Sequence, residues 1–488
     1  MSARSLSSAD DPRYSCFPAA KTCGTTPNPA VRVLLLNPPG ERVYIRDYFC
    51  SKTSKSNYLF HPVDLLVLSG TLAEEHELSV LDCIAEGLSP RAAEARIDTV
   101  APEAVVSLVG SVSWEEDRVF LARQARRGRR ILAIGDVLHG DAALRLAEEP
   151  WLEAALDDFA NEDVIKLLAG EHAGVQQATF RVPSGEIVTR EEPRSAKSFR
   201  VPRPRHELFP SRGYRFSFSR KKTFATVLTD YGCPYPCSFC VISTLGFRVR
   251  AVEDVLEEID ALRAAGVREL FFMDQTFGVQ EQRALELCAA LEERGDLSWT
   301  AFSRPDRVGD ELLSAMARAG CHTLIMGVES ASDELLALYE KGYTVSLVVE
   351  AFARVRRHGL RTVGTFIIGL PEESEASLRA TLELALKLEL DFMSLNMAVP
   401  RFGTPFRARA LDLGLTGSND LVMDQAGTQA TLSTSTLDRA TMLRLKKRMV
   451  RRFYLRPSFL GRRLLAVGSW HEALAQVREG LALLRRNA

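Results

Sequence analysis

A regular alternation of strand and helix patterns over residues 223–398 constrains this chain more than any other feature of its sequence. A strand at 223–229 opens the series, and helical spacing follows at 252–265, 280–294, 309–319, 344–358 and 375–389. Between these runs lie short apolar stretches at 269–273, 299–303, 323–328 and 362–368, and a last one follows at 392–398. Gly295, Gly320 and Gly359 stop three of the helices. Strands that alternate with helices pair in parallel, because a parallel connection needs a crossover long enough to hold a helix. The pattern predicts a parallel sheet of six β/α units with helices outside.

The first strand runs into Tyr231-Gly-Cys-Pro-Tyr-Pro-Cys-Ser-Phe-Cys240, which sets Cys233, Cys237 and Cys240 on one short loop. Three thiolates so spaced can hold three irons of a cubane iron–sulfur cluster. A complete protein set would need a fourth ligand, so one iron is left to a molecule carrying an amine and a carboxylate. Structural zinc wants four closed ligands, and no second Cys or His pair follows at a suitable distance. Three cysteines are also an odd number for disulfides.

Cys-x3-Cys-x2-Cys with an aromatic residue, Phe239, before the last thiol resembles the signature of the radical S-adenosylmethionine (SAM) superfamily. The resemblance implies a 4Fe-4S cluster on Cys233, Cys237 and Cys240, with SAM on the open iron and reductive cleavage to a 5′-deoxyadenosyl radical. It implies a partial (β/α)6 barrel, with active groups at the carboxyl ends of the strands. Phe239 then packs near the adenine. Asp274, ending the second strand, binds the methionine ammonium or serves as a turn or capping carboxylate. Ser303 and Arg304 end the third strand, where they bind a carboxylate or ribose, or leave the arginine at the surface. Gly327-Val-Glu-Ser330 resembles the family's ribose motif and nominates Glu329. Thr365–Glu372 resembles its Gly-x-Ile-x-Gly-x-x-Glu adenine motif: Ile367, Gly369 and Glu372 match, while Thr365 replaces the first glycine. Pro400–Pro405 reads as a rigid turn capping the barrel.

A second alternation occupies residues 31–170: strands at 31–37, 78–82, 104–109 and 130–134, helices at 62–74, 90–99 and 115–127, and a short strand and helix within 151–168. This predicts a doubly wound, Rossmann-like sheet whose ligand lies over the strands' carboxyl ends at the switch point. Neither a P-loop nor Gly-x-Gly-x-x-Gly is present, which disfavours a nucleotide there. An open α/β domain directly before such a barrel resembles the cobalamin-binding domain of B12-dependent radical SAM enzymes, a resemblance covering residues 31–410. It implies cobalamin against Asn37, Gly110, Ser111, Ser113, Gly135 and Asp136. The family's Asp-x-His-x-x-Gly loop is missing after the first strand, and His139 follows a different one, so no protein imidazole is expected on cobalt.

Residues 1–30 read as a flexible arm, 171–215 as a linker with a hairpin at Thr179–Val188 and a proline-spaced strap at 202–210, 216–410 as the barrel, and 411–488 as a helical C-terminal domain. The last carries Lys446, Lys447, Arg448, Arg451, Arg452, Arg456, Arg462 and Arg463, a solvated helical face or a patch for an acidic, carrier-bound or membrane partner. A net charge of −1 argues against a nucleic-acid partner. Nine cysteines without a regular framework suggest a reducing compartment, and no apolar run approaches the ~18 residues of a membrane span. The expectation is a cytoplasmic, oxygen-sensitive monomer, reduced by a flavodoxin or ferredoxin. Its expected reaction is cobalamin-dependent C-methylation of an unactivated carbon in a small-molecule, carrier-tethered or lipid substrate. The alternatives are a B12-dependent oxidative cyclase or ring-rearranging enzyme without methyl transfer, and an electron-carrying iron–sulfur protein.

Overall fold

A computed structural model describes residues 30–192, 197–421, 424–426 and 432–466, with 477, 478 and 480–482. The expected N-terminal arm, Cys16 and Cys23 lie outside the described residues, as does most of the chain beyond 466.

The N-terminal domain is a twisted sheet covered on both faces. Its parallel strands are Arg32–Asn37, Glu77–Asp82, Ala104–Leu108, Arg130–Ile134 and Ala154–Leu156, in spatial order second, first, third, fourth, fifth. Burial on both faces explains the unbroken apolar runs: Leu34, Leu35 and Leu36 are all fully buried, pointing to alternate sides. The order reverses between the strands Arg32–Asn37 and Ala104–Leu108, which locates the switch point. One boundary needs correction. The hairpin expected in the linker, Gln177–Arg181 and Ile187–Glu191, adds antiparallel to Ala154–Leu156 and completes this sheet as a seven-stranded one.

Residues 200–210 lie as a strap along the helix Val63–Leu72: the Arg205 amide donates to Ser69 Oγ at 2.8 Å, and a side chain at Gly70 would overlap the Pro202 carbonyl. A small sheet then joins Ser198–Phe199 to Phe247–Arg250 and Asp230–Gly232, tying the linker to the cysteine loop.

The barrel strands are Ala225–Val227, Glu269–Phe272, Ser298–Ser303, Cys321–Glu329, Arg361–Ile368 and Phe392–Met397, all parallel and in sequence order. They form an open, six-stranded sheet. Trp299, Phe272, Leu313, Val348 and Phe352 fill the layer between strands and outer helices. The helix Arg439–Tyr454 sends Met442, Met449, Val450 and Phe453 into that same core, and Tyr454 Oη donates to the Met393 carbonyl at 2.6 Å. The described part of the C-terminal region is therefore not the separate helical domain expected; it continues the barrel. Cys83, Cys288 and Cys321 are buried filler, as free cysteines in apolar elements usually are.

The connection Pro38–Pro62 is long for a strand–helix loop, and such loops usually carry function. It folds as an arm with a two-residue antiparallel pairing, Tyr44–Ile45 against Lys52–Thr53, and reaches across from the first sheet to the barrel. Thr53 Oγ1 donates to Asp424 at 2.9 Å, and Arg401 meets Asp136 at 3.2 Å. The carboxyl ends of both sheets thus face one another.

Candidate active site

Gly232 shapes the cysteine loop. Its φ of 80° belongs to the region glycine occupies without strain, and a Cβ there would overlap the Gly246 carbonyl, the same oxygen that accepts the Cys233 amide at 3.0 Å. The Cys240 amide donates to the Cys237 carbonyl at 2.9 Å, and Ser243 Oγ to the Cys240 carbonyl at 2.7 Å. Arg304 Nη1 stands 3.5 Å from Cys237 Sγ. Burial pushes the Cys240 thiol up to about 12, with Cys237 adding to the effect, and burial likewise raises Cys233. Among the described residues no three Cys, His, Asp or Glu side chains converge on one metal ion. Three thiols along one loop, with no fourth beside them in the sequence motif, form a donor set that fits a cubane with one iron left to another ligand.

Below the loop the barrel encloses a cavity of about 370 Å³. Strand parity decides who lines it, because successive side chains point to opposite faces. On the second strand Phe271, Met273 and Gln275 face the cavity, whereas Phe272 packs on Trp299. The same rule sorts the candidates for SAM. Asp274 falls on the wrong face: it is fully buried and accepts from the Thr229 amide (2.6 Å), Thr229 Oγ1 (2.6 Å) and the Asp230 amide (3.0 Å). Ser303 also faces away and donates to the Phe277 carbonyl at 2.9 Å, while its neighbour Phe302 lines the cavity. These two correct the expectation. Arg304 is buried beside the cysteine loop, stacked 3.8 Å over Tyr235 and paired with Asp306 at 2.9 Å.

Glu329 does line the cavity. A register shift between Gly327 and Glu329 places it there with φ at 63°, a conformation that costs a non-glycine residue roughly 1 kcal/mol or more. Its carboxylate receives Lys341 Nζ at 2.8 Å. Burial disfavours that ammonium, but Glu329, Tyr343 and Cys237 outweigh it and hold Lys341 above its ordinary pKa. Lys341 also stands 5.4 Å over the ring of Phe239, which lines the cavity beside Cys240. Ile367 also lines the cavity. Gly369 has φ at 90°, and its amide donates to Glu373 Oε2 at 2.6 Å. Glu372, the motif position, instead turns outward to Tyr339 and Arg409.

The crest of the N-terminal sheet is engaged within the chain. Asn37 donates to Asp82 (3.0 Å) and accepts from Arg46 (2.9 Å). Ser113 Oγ donates to Asp117 (2.7 Å), and so does the Gly110 amide (3.0 Å). Arg46 and Asp117 form a fully buried pair at 2.7 Å. Gly135 lies against the Val109 carbonyl, with no room for a Cβ. Asp136 accepts from the Ser51 amide (2.8 Å), Ser51 Oγ (2.9 Å) and the Ser111 amide (2.8 Å). Of these six residues Ser113 lines a cavity, and so does Ser111. Its buried Oγ has no hydrogen-bond partner and borders a cavity of about 460 Å³ that also touches Pro400, Arg407 and Asp420.

Residues 227–385 match the sequence profile of the radical SAM superfamily. That segment is a radical SAM domain. A radical SAM domain implies a 4Fe-4S cluster and SAM, and this one carries the three cysteines with a cavity beneath them. An uncharacterised methyltransferase of Pyrococcus horikoshii is 29% identical over 359 residues, 70% of this chain and 77% of its own length. The radical SAM methyltransferase TsrM of Kitasatospora setae, solved with cobalamin and a 4Fe-4S cluster bound, superposes with a TM-score of 0.61 at 19% identity, covering 80% of this chain and 76% of that one. OxsB, a cobalamin-dependent radical SAM enzyme solved with aqua-cobalamin and SAM, gives 0.65 at 16% identity, covering 92% and 70%. At these identities the likeness is one of fold.

Four cations at this radical SAM site were not singled out from sequence: Lys52, Lys55, Lys341 and Arg401. The length of the Pro38–Pro62 connection was the available signal for the first two. Arg401 sits within the Pro-Arg-Phe-Gly-Thr-Pro turn that was expected to cap the barrel; it lines the cavity and joins the two domains.

Proposed function

We propose that this radical SAM enzyme is a C-methyltransferase that uses a corrinoid. The observation that carries the reading is the facing of the two sheets: the crest at Ser111 and Asp136 meets the barrel mouth at Arg401, beside Cys240. The fold of cobalamin-bound TsrM and OxsB supports it. When bound, the SAM–cluster pair supplies a carbon-centred radical for hydrogen abstraction, and a corrinoid supplies methyl. The protein's own part is placement and exclusion of water. Phe239, Ile367 and the Glu329–Lys341 pair are the cavity groups available for the adenosyl moiety, and Phe271, Phe302 and Ile325 keep the interior apolar.

A corrinoid on this crest would lie under the arm that covers Asp136. The Ser51–Asp136 contacts hold the arm there, and a cavity of about 460 Å³ opens beside Ser111. His139 packs its ring 4.5 Å from Tyr48, and His139→Ala is expected to leave corrinoid binding and its absorption spectrum unchanged.

The deciding experiment is anaerobic reconstitution with iron, sulfide and hydroxocobalamin, then reduction in the presence of SAM, with dithionite or a flavodoxin or ferredoxin as the proposed partner. Release of 5′-deoxyadenosine together with S-adenosylhomocysteine supports the reading. 5′-Deoxyadenosine without S-adenosylhomocysteine points to a cyclase or rearranging enzyme. Neither product leaves an electron carrier and overturns the proposal.

A further inference from the structure

The arm drives Lys55 into the barrel. Its Nζ donates to Ser394 Oγ at 2.9 Å and to Asn396 Oδ1 at 2.6 Å. These residues are two apart on the last strand, so both point inward. Both acceptors are neutral. An ammonium has three donors, and this one spends two on them. Among the described residues no carboxylate pairs with Lys55. The one that acts on it is Asp424, whose oxygens already accept from the Thr53 amide (3.3 Å), Thr53 Oγ1 (2.9 Å) and the Ala426 amide (3.0 Å).

The other cations near it are better balanced. Lys52 has Asp47 at 3.7 Å and Arg401 has Asp136 at 3.2 Å, while Lys446, lowered by burial to about 8, acts on Lys55 as a further positive neighbour. Buried charges in proteins are paired, or they lose the charge. Burial holds Lys55 well below its ordinary pKa, with Lys446 and Lys52 adding to the effect, and a carboxylate set beside it would favour the charged ammonium with its third donor. The rest of the wall around it is apolar and aromatic: Phe60, Phe216, Phe218, Phe271, Phe302 and Val363.

We propose that Lys55 is the anion-recognition group of this cavity, and that the cavity takes an apolar, ring-bearing carboxylic acid. The carboxylate sits on the third donor of Lys55, and the ring system lies against the phenylalanines. This inference rests on the reading of the barrel cavity as the substrate site. It adds the substrate's chemical class and assigns its recognition to the N-terminal arm, so that one domain reads the substrate held in the other. No bond is made or broken at Lys55; it is a binding residue.

The test uses the full-length chain reconstituted with its cluster, titrated calorimetrically with 2-naphthoate and with its neutral counterpart 2-naphthamide. The acid is expected to bind at least about tenfold tighter than the amide, the scale of one charge-assisted hydrogen bond. Lys55→Met should erase that preference and keep the amide within about threefold of its wild-type affinity. Asn396→Asp, which gives Lys55 an internal carboxylate, should erase it as well and covers the case in which the methionine variant does not fold. Equal affinity for acid and amide in the wild type overturns the inference, as does binding of neither. An acid preference that survives both substitutions also overturns it. Formation of 5′-deoxyadenosine by the same wild-type preparation separates the two readings: its absence defeats the enzymatic assignment, whereas its presence without acid preference defeats only the role of Lys55.

Discussion

Replacing Asp136 by asparagine should open the junction between the two domains. The carboxylate accepts four hydrogen bonds: Ser111 N on Oδ1, and Ser51 N, Ser51 Oγ and Arg401 Nη1 on Oδ2, at 2.8, 2.8, 2.9 and 3.2 Å. An amide in the same place keeps one oxygen, and in either orientation its NH2 faces a backbone N–H, that of Ser111 or that of Ser51, while Arg401 loses its charged partner in both. The Ser51 hydroxyl can rotate to accept, but the Ser51 amide and the guanidinium cannot. Removing one partner of a buried pair costs about 3–5 kcal/mol when the remaining charge is stranded. Arg401 is not wholly stranded, because Gln425 Oε1 lies 3.3 Å from it, so about 2–4 kcal/mol is the reasoned loss. At about 1.4 kcal/mol per decade this is roughly 30- to 700-fold faster local opening. Hydrogen exchange followed by mass spectrometry on peptides spanning residues 47–54 and 109–114 reads it directly, with the strap at 200–210 as the internal control. Exchange within threefold of wild type in both peptides would show that the arm is held by something other than this carboxylate.

Three further outcomes are expected. Replacing Cys233, Cys237 and Cys240 together by alanine should remove the ~4 irons bound after reconstitution; retained iron would refute the cluster assignment, whereas Cys50→Ala should leave the count unchanged. Glu329→Ala should weaken SAM binding by about one to two decades through loss of a charge-assisted contact while the cluster still assembles, and affinity within threefold of wild type would make the Glu329–Lys341 pair structural. His61 is buried with its pKa lowered to about 3 by burial, so between the unfolded value of 6.5 and about 3 the unfolded chain binds a proton that the native chain refuses. Its contribution is complete above pH 6.5 and falls with pH by up to ~1.4 kcal/mol per unit, so urea unfolding of His61→Phe at pH 7.5 and pH 5 should show a shallower loss than wild type; parallel losses would refute it.

Most barrel elements were legible because their signals are local: apolar runs between helical spacings, ended by Gly295, Gly320 and Gly359. The candidate site was legible by position and less so by direction. Asp274 and Ser303 stand at strand ends, yet they point outward, because Phe271 and Phe302 face inward and side chains alternate. Counting parity from those phenylalanines would have separated them from Gln275. Glu329 escapes such counting, since the register shift before it is set by the neighbouring strand. The hairpin is legible in the sequence at Thr179–Val188, but a hairpin's own sequence does not say which sheet edge it joins. The crest failed for a different reason. Nothing near Asn37 or Ser113 announces that Arg46 and Asp117 will occupy them.

The contacts that close the arm over the barrel join residues far apart in the chain: Thr53 with Asp424, Lys55 with Ser394 and Asn396, and Asp136 with Arg401. During synthesis the first sheet can be complete while hundreds of residues, and every one of those partners, have yet to leave the ribosome. Closure is therefore a late event in the life of each molecule. Whatever the two facing crests are to enclose must arrive before the last quarter of the chain has folded, or wait for the arm to lift again. The timing of cofactor supply in the cell thus becomes part of how this protein matures.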